Sequence, residues 1–202
     1  MRTRLLLILA FAAVRSPGQV HMQLYDLADV GPRVVERAGD AAQAVFVRAG
    51  LTILWTEEDP GDPQAHTIEN ATMTNCPSAL RSADLRVRLI SHTPSSVPID
   101  VLGAAFPCSG SGVQVSIYAD HVQALSRSVS ISTADILGYA IAHEVGHVLL
   151  RSNRHWGDGL KKARWSRADW QAVRSKSLDF SRDQADQMLI EVAKLAARGF
   201  AE

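Results

Sequence analysis

The sequence predicts a mixed fold of the α+β (mixed α/β) kind, and three observations carry that expectation. From Val20 onward the chain reads as a strand-like run, an amphipathic helix and a second strand-like run. Two later segments alternate apolar and polar residues, and the carboxy-terminal half holds two helices with apolar stripes. With 202 residues, 47% hydrophobic and 21% charged, there is material for one substantial core, and residues 20–202 read as a single domain. Lysine plus arginine (21) balance aspartate plus glutamate (21), so the charge pattern gives no footprint for nucleic acid or for an anionic membrane surface.

Ahead of the domain stands "MRTRLLLILAFAAVRSPGQV", where Arg2 and Arg4 precede an apolar run from Leu5 to Val14 and a turn-forming Ser16-Pro17-Gly18. This is the layout of a secretory signal, assigned to residues 1–19, and it predicts a secreted or periplasmic protein. The run is too short for a membrane anchor, since a spanning helix needs about 20 apolar residues, so no stable insertion is expected once the signal is cleaved. An oxidising destination makes a disulfide between Cys76 and Cys108 an expectation, with two free buried thiols as the alternative. Such a bond would contribute roughly 3 to 4 kcal/mol in the chain-entropy model.

The elements follow in order. "VHMQLYDLA" alternates as a first strand. Pro32 then sits at a first-turn position, Val34, Val35, Ala38, Ala42, Val45 and Phe46 recur at helical intervals, and Gly50 closes the segment. "LTILW" (51–55) reads as a short buried strand, and strand, helix, strand in that order predict a crossover onto a shared sheet. From Thr56 to Asp84 the chain is rich in turn residues and reads as loop, with a chance-level glycosylation triplet at Asn70. "LRVRLI" (85–90) and "GVQVSIY" (112–118) predict strands with one wet face each, and the segment between them, holding Pro94, Pro98 and Pro107, reads as a second loop. A short helix is expected over 120–126. Near the end, Ser181 and Gln184 form a capping-box pattern ahead of the stripe Met188, Leu189, Val192 and Leu195, a closing helix whose methionine serves packing.

The chemistry concentrates in "STADILGYAIAHEVGHVLL". Ser132 and Asp135 mark a helix start, and the apolar residues that follow keep helical spacing, so His143 and His147 share a helix. Residues four apart on a helix lie about 5 to 6 Å apart at Cβ, which lets two imidazoles converge on one zinc ion. Glu144 stands one residue round from His143, within reach of a metal-bound water without being a ligand, as a general base must be. A helix this apolar would not keep two histidines and a glutamate unpaired, because unpaired buried polar groups are costly. A catalytic zinc takes three protein ligands. The candidates for the third are His155, just past the helix end, Asp158 in "WGDG", and the more remote Glu191; imidazole chemistry and the short return favour His155.

The stretch "HEVGHVLLRSNRHWGDGLKKARW" resembles the active-site stretch of small secreted bacterial zincins related to the metzincins, which read approximately H-E-x-G-H-L-L-L-G-x-N-x-H-S-x-x-G-I-M-R-x-x-W. The resemblance implies a zincin-like twisted mixed sheet with an active-site helix. It also implies zinc held by His143, His147 and His155, Glu144 as base, Gly146 as the small residue within the helix, and an endopeptidase acting on peptide or protein substrates. By that family's geometry the strand 113–118 would border the cleft and offer its edge to an extended peptide.

The chain departs from the pattern in three places. Arg151 stands where the family has glycine, so helix termination is expected to rely on Asn153. The third histidine comes two positions later than in ordinary metzincins, a spacing that fits the small bacterial group. Lys161 occupies the methionine position of the turn beneath the metal, so the floor is expected to be rebuilt around Leu160 or Trp165, with Lys161 and Lys162 in a solvated loop. That replacement motivates an alternative: a zinc-binding extracellular module derived from a peptidase, with impaired catalysis. The four other histidines, His21, His66, His92 and His121, lack ligand spacing. Trp156, Trp165 and Trp170 are expected to pack around the active-site turn, and Arg164 to form a structural salt bridge.

Overall fold

The structure is a computed structural model that describes residues 19–66, 84–107 and 114–198. The signal-like leader up to Gly18, the Asn70 triplet, Cys76 and Cys108 lie outside the described residues, as does the start of the 112–118 segment.

Periodicity explains the first three elements. β1 (Gln19–Asp26) points Val20, Met22 and Leu24 into the core, and its last residue terminates it: the Asp26 carboxylate accepts the backbone N–H groups of Ala28 and Val30. α1 (Pro32–Arg48) begins at its proline and buries Val35, Ala38, Ala42, Val45 and Phe46, one stripe at helical spacing. β2 (Thr52–Glu58) returns parallel to β1, as the crossover reading requires, and runs three residues past the expected Trp55. Parallel pairing to β1 reaches Glu58, so the backbone ladder, rather than side-chain hydrophobicity, sets that end.

β3 (Asp84–Ile90) pairs parallel with β1 on one side and with β5 (Val115–Tyr118) on the other. β3 has the expected wet face at Arg86 and Arg88, but β5 does not, because Val115, Ser116 and Ile117 are all buried. The proline-rich segment before β5 is not all loop. It contains β4 (Gly103–Ala105), antiparallel to β5, and the sheet order is β2-β1-β3-β5-β4. Among the described residues β4 therefore forms the edge, and β5, expected there from the family geometry, lies one strand inside it. "GAA" has no alternation to announce a strand; its pairing partner creates it.

Two helices bring the site to that edge. α2 (Ala119–Val129) follows β5 without a gap, and α3 (Thr133–Leu149) starts at Ser132, whose side chain accepts from Asp135 N–H as the capping pattern requires. α3 is the central helix: every residue from Ile136 to Leu149 is buried, between α1 on one side and β4 and β5 on the other. α4 (Arg167–Arg174) carries a full capping box between Ser166 and Asp169. α5 (Arg182–Arg198) opens on the expected Ser181–Gln184 box and buries Met188 and Val192 in the core. Among the described residues no helix is long and apolar enough to cross a membrane.

Candidate metal centre

α3 ends in a Schellman turn: Ser152 N–H donates to His147 O at 3.0 Å and Arg151 N–H to Val148 O at 3.0 Å. The left-handed residue that this turn needs is Arg151 itself (φ 51°), not Asn153 as expected. The site thus keeps the geometry a glycine would supply, with a side chain that resists it.

The turn carries the chain back over the helix, and the ligand atoms of His143, His147 and His155 come to lie within 4.8 Å of one another. The Nε2 atoms of His143 and His147 are 3.2 Å apart. Their Nδ1 atoms are both occupied, that of His143 with Leu160 O at 2.7 Å and that of His147 with Ser152 O at 2.7 Å. A carbonyl oxygen only accepts, so each Nδ1 carries the proton and each Nε2 presents a lone pair. Two lone pairs facing at this distance cannot bond to each other. Two nitrogens on one tetrahedral zinc, each about 2.0–2.1 Å from it, are about 3.3 Å apart, so the spacing and the carbonyl-fixed tautomers fit a shared cation. Burial, with the nearby Lys161 charge adding to it, holds His143 well below its ordinary pKa and brings His147 down to about 3, keeping both rings neutral. The same two causes lower His155, which is the exposed member of the three.

Neither alternative third ligand joins the group. Asp158 is exposed and outside it, and Glu191 lies on α5, where it accepts from Lys194 at 2.7 Å.

Glu144 points to the same cleft without joining the ligands: its Oε1 is 4.0 Å from His143 Nε2. Burial raises its pKa to about 7, with Lys161 pulling the other way. Its close fit depends on Gly103 of β4, where a Cβ would come within 2.8 Å of Glu144 Cγ and 2.9 Å of Ser116 O. Sequence reading missed Gly103, because nothing local in "VLGAAF" marks it as the wall behind the Glu144 carboxylate.

The floor of the site overturns the expectation of a solvated loop at Lys161. That side chain is wholly buried, and its Nζ donates to His143 O at 2.8 Å. Consecutive turn residues therefore clamp His143 from two sides, Leu160 O at the ring and Lys161 Nζ at the backbone. Burial draws the Lys161 pKa down to about 6 against the opposing pull of Glu144. Gly146 makes room beneath the helix, since a Cβ there would meet Phe180 at 2.6 Å and the Lys161 chain at 3.3 Å. Leu160 is buried as expected of a floor residue, and Trp165 donates from Nε1 to Leu160 O at 3.0 Å while its ring lies edge-on to His143. Lys162 is half-buried and paired with Asp169 at 2.5 Å.

His143, Glu144, His147 and His155 line an open-sided cleft of about 590 Å³ between β4 and its preceding loop on one side and the segment 162–165 on the other. Trp165 and Trp170 pack edge-to-face on each other and also line it. Of the remaining histidines, His121 is satisfied away from the site by Val101 O at 2.8 Å, and His92 by Ser91 at 2.8 Å. No family model matches the chain, and no curated protein matches it in sequence.

Proposed function

We propose that the chain is an exported zinc-dependent endopeptidase of the zincin type, acting on peptide or protein substrates outside the cytoplasm. The observation that carries this reading is the convergence of His143, His147 and His155 on one point, with two tautomers set by backbone carbonyls and Glu144 held beside them in a cleft. His143, His147 and His155 would hold the metal. Zinc in such a site supplies Lewis acidity, polarising a scissile carbonyl and acidifying water. Glu144 takes a proton from the attacking water on its carboxylate and delivers it to the leaving amine, so no covalent intermediate with the protein is needed. β4 is the outermost strand of this side of the sheet among the described residues and borders the cleft, so an extended substrate adding along it would set the scissile bond over the histidines. The exported location rests on the leader layout, and amino-terminal sequencing of the mature protein tests it.

The test is metal analysis of the purified protein together with cleavage of an unfolded protein substrate. Cleavage that stops with chelator, returns with zinc and is lost in Glu144→Gln, with metal content unchanged, supports the assignment. Activity that survives Glu144→Gln removes the assigned base. Stoichiometric zinc without turnover across a diverse peptide library would instead favour the non-catalytic zinc module, which the buried Lys161 beneath the site motivates.

A further inference from the structure

The cleft holds a charge pair that the hydrolytic chemistry does not use. Asp100 stands on the loop before β4 and Arg164 on the opposite wall, and Arg164 Nε lies 3.0 Å from Asp100 Oδ2. Both side chains are accessible, Arg164 at 82% and Asp100 at 45%. Arg164 approaches Asp100 through Nε, and the Nη1/Nη2 edge, whose parallel donors match a carboxylate in bidentate geometry, makes no hydrogen bond among the described residues. The neighbouring cation on that wall is already committed, since Lys162 is bound to Asp169, which also caps α4. An exposed ion pair such as Asp100–Arg164 holds weakly and exchanges one carboxylate for another at little cost.

We propose that Arg164 is a specificity residue that recruits peptides carrying an aspartate or glutamate near the scissile bond, the substrate carboxylate taking the guanidinium edge and displacing Asp100. The inference rests on the peptidase reading and names its substrate class. Arg164, rather than Asp100, reads the substrate because it is the more exposed partner and keeps the unused pair of donors. Asp100 acts as the internal competitor: it holds Arg164 over the cleft when no acidic peptide is present. Flanking it, Ile99 (64% exposed) and Val101 give the same rim an apolar surface for residues next to the acid.

The experiment uses fluorogenic peptides in matched pairs that differ only by Glu or Gln at one position, scanned along both sides of the scissile bond. Wild type is expected to favour Glu at one position by about fivefold in kcat/KM, carried by KM and erased by high salt, as for an exposed charge pair. Arg164→Ala should abolish the preference, Arg164→Glu should reverse it toward a Lys-containing peptide, and Asp100→Asn should enlarge it. Equal rates for Glu and Gln at every position, or a preference that survives Arg164→Ala, overturns the proposal. If no peptide is cleaved, the peptidase reading fails by itself. Binding of the same pairs to zinc-loaded Glu144→Gln, followed through the fluorescence of Trp165 and Trp170, then decides the role of Arg164. Discrimination that disappears with Arg164→Ala upholds it, and its absence overturns it.

Discussion

Replacing Gly103 by alanine tests whether the edge strand sets the position of Glu144. A Cβ at this position would stand 2.8 Å from Glu144 Cγ, 2.9 Å from Ser116 O and 3.0 Å from Ile117 Cδ1. Carbon atoms in ordinary contact are about 3.5–4.0 Å apart, so the overlap with Glu144 is at least about 0.7 Å. Rotation of the glutamate alone does not relieve it, because Ser116 O is backbone and is fixed in the β5 ladders. β4 must move away from β5, at an overpacking cost of about 2 kcal/mol. For a domain of this size that lowers the melting midpoint by about 4–8 °C. The displaced carboxylate should also lose its place as base, a contribution worth about 10²- to 10⁴-fold in rate. Zinc affinity should change little, since the three atoms nearest the added methyl belong to Glu144, Ser116 and Ile117 and none of these is a candidate ligand. Thermal unfolding, zinc titration against a chromophoric chelator, and peptide cleavage measure the three effects on one sample. A variant with an unchanged midpoint and kcat within threefold of wild type would refute the view that β4 positions Glu144.

Arg151→Gly should raise stability by about 1 kcal/mol, since glycine adopts the observed left-handed φ of 51° without the clash an L side chain suffers; a lower unfolding midpoint in urea would contradict it. Zinc at a hundredfold over its dissociation constant should stabilise wild type by about 2.7 kcal/mol. His155→Ala should shrink that zinc-dependent shift while Asp158→Ala leaves it intact, and the opposite ranking by differential scanning calorimetry would reassign the third ligand. Asp169 accepts from Lys162 and Ser166, and these bonds outweigh burial to hold its pKa below the ordinary value. A depressed carboxylate stabilises the fold above its unfolded pKa of about 3.9 and loses that contribution as pH falls through its folded value. Asp169→Ala should therefore cost about 1 kcal/mol at neutral pH, the worth of a cap, and progressively less in acid; a cost that is constant from pH 7 to pH 2 would exclude this linkage.

Among the described elements, every α-helix but α4 and most of the strands were legible because their signals are local. Pro32, Ser132 and Ser181 mark helix starts through groups within four residues of them, and the stripes of α1 and α5 need only the helical repeat. The pairing of His143 with His147, and Glu144 beside them, belongs to this class: once α3 is a helix, its pitch brings the two rings together. The sequence also narrowed the third ligand to three residues, with His155 favoured.

What the sequence could not decide depends on segments distant along the chain. β4 exists because β5 pairs with it, and the cleft edge is therefore Gly103–Ala105 rather than the strand that alternation announces. Lys161 reads as solvated because lysine is charged and its neighbours are polar, yet His143, 18 residues earlier, supplies a carbonyl that accepts from its Nζ in the interior. The tautomers of His143 and His147 are set by carbonyls at 160 and 152, which no spacing rule specifies. Periodicity determines which face of an element is apolar; only the packed chain determines which hydrogen-bond partner meets a polar group that ends up inside, and that meeting gives this site its geometry.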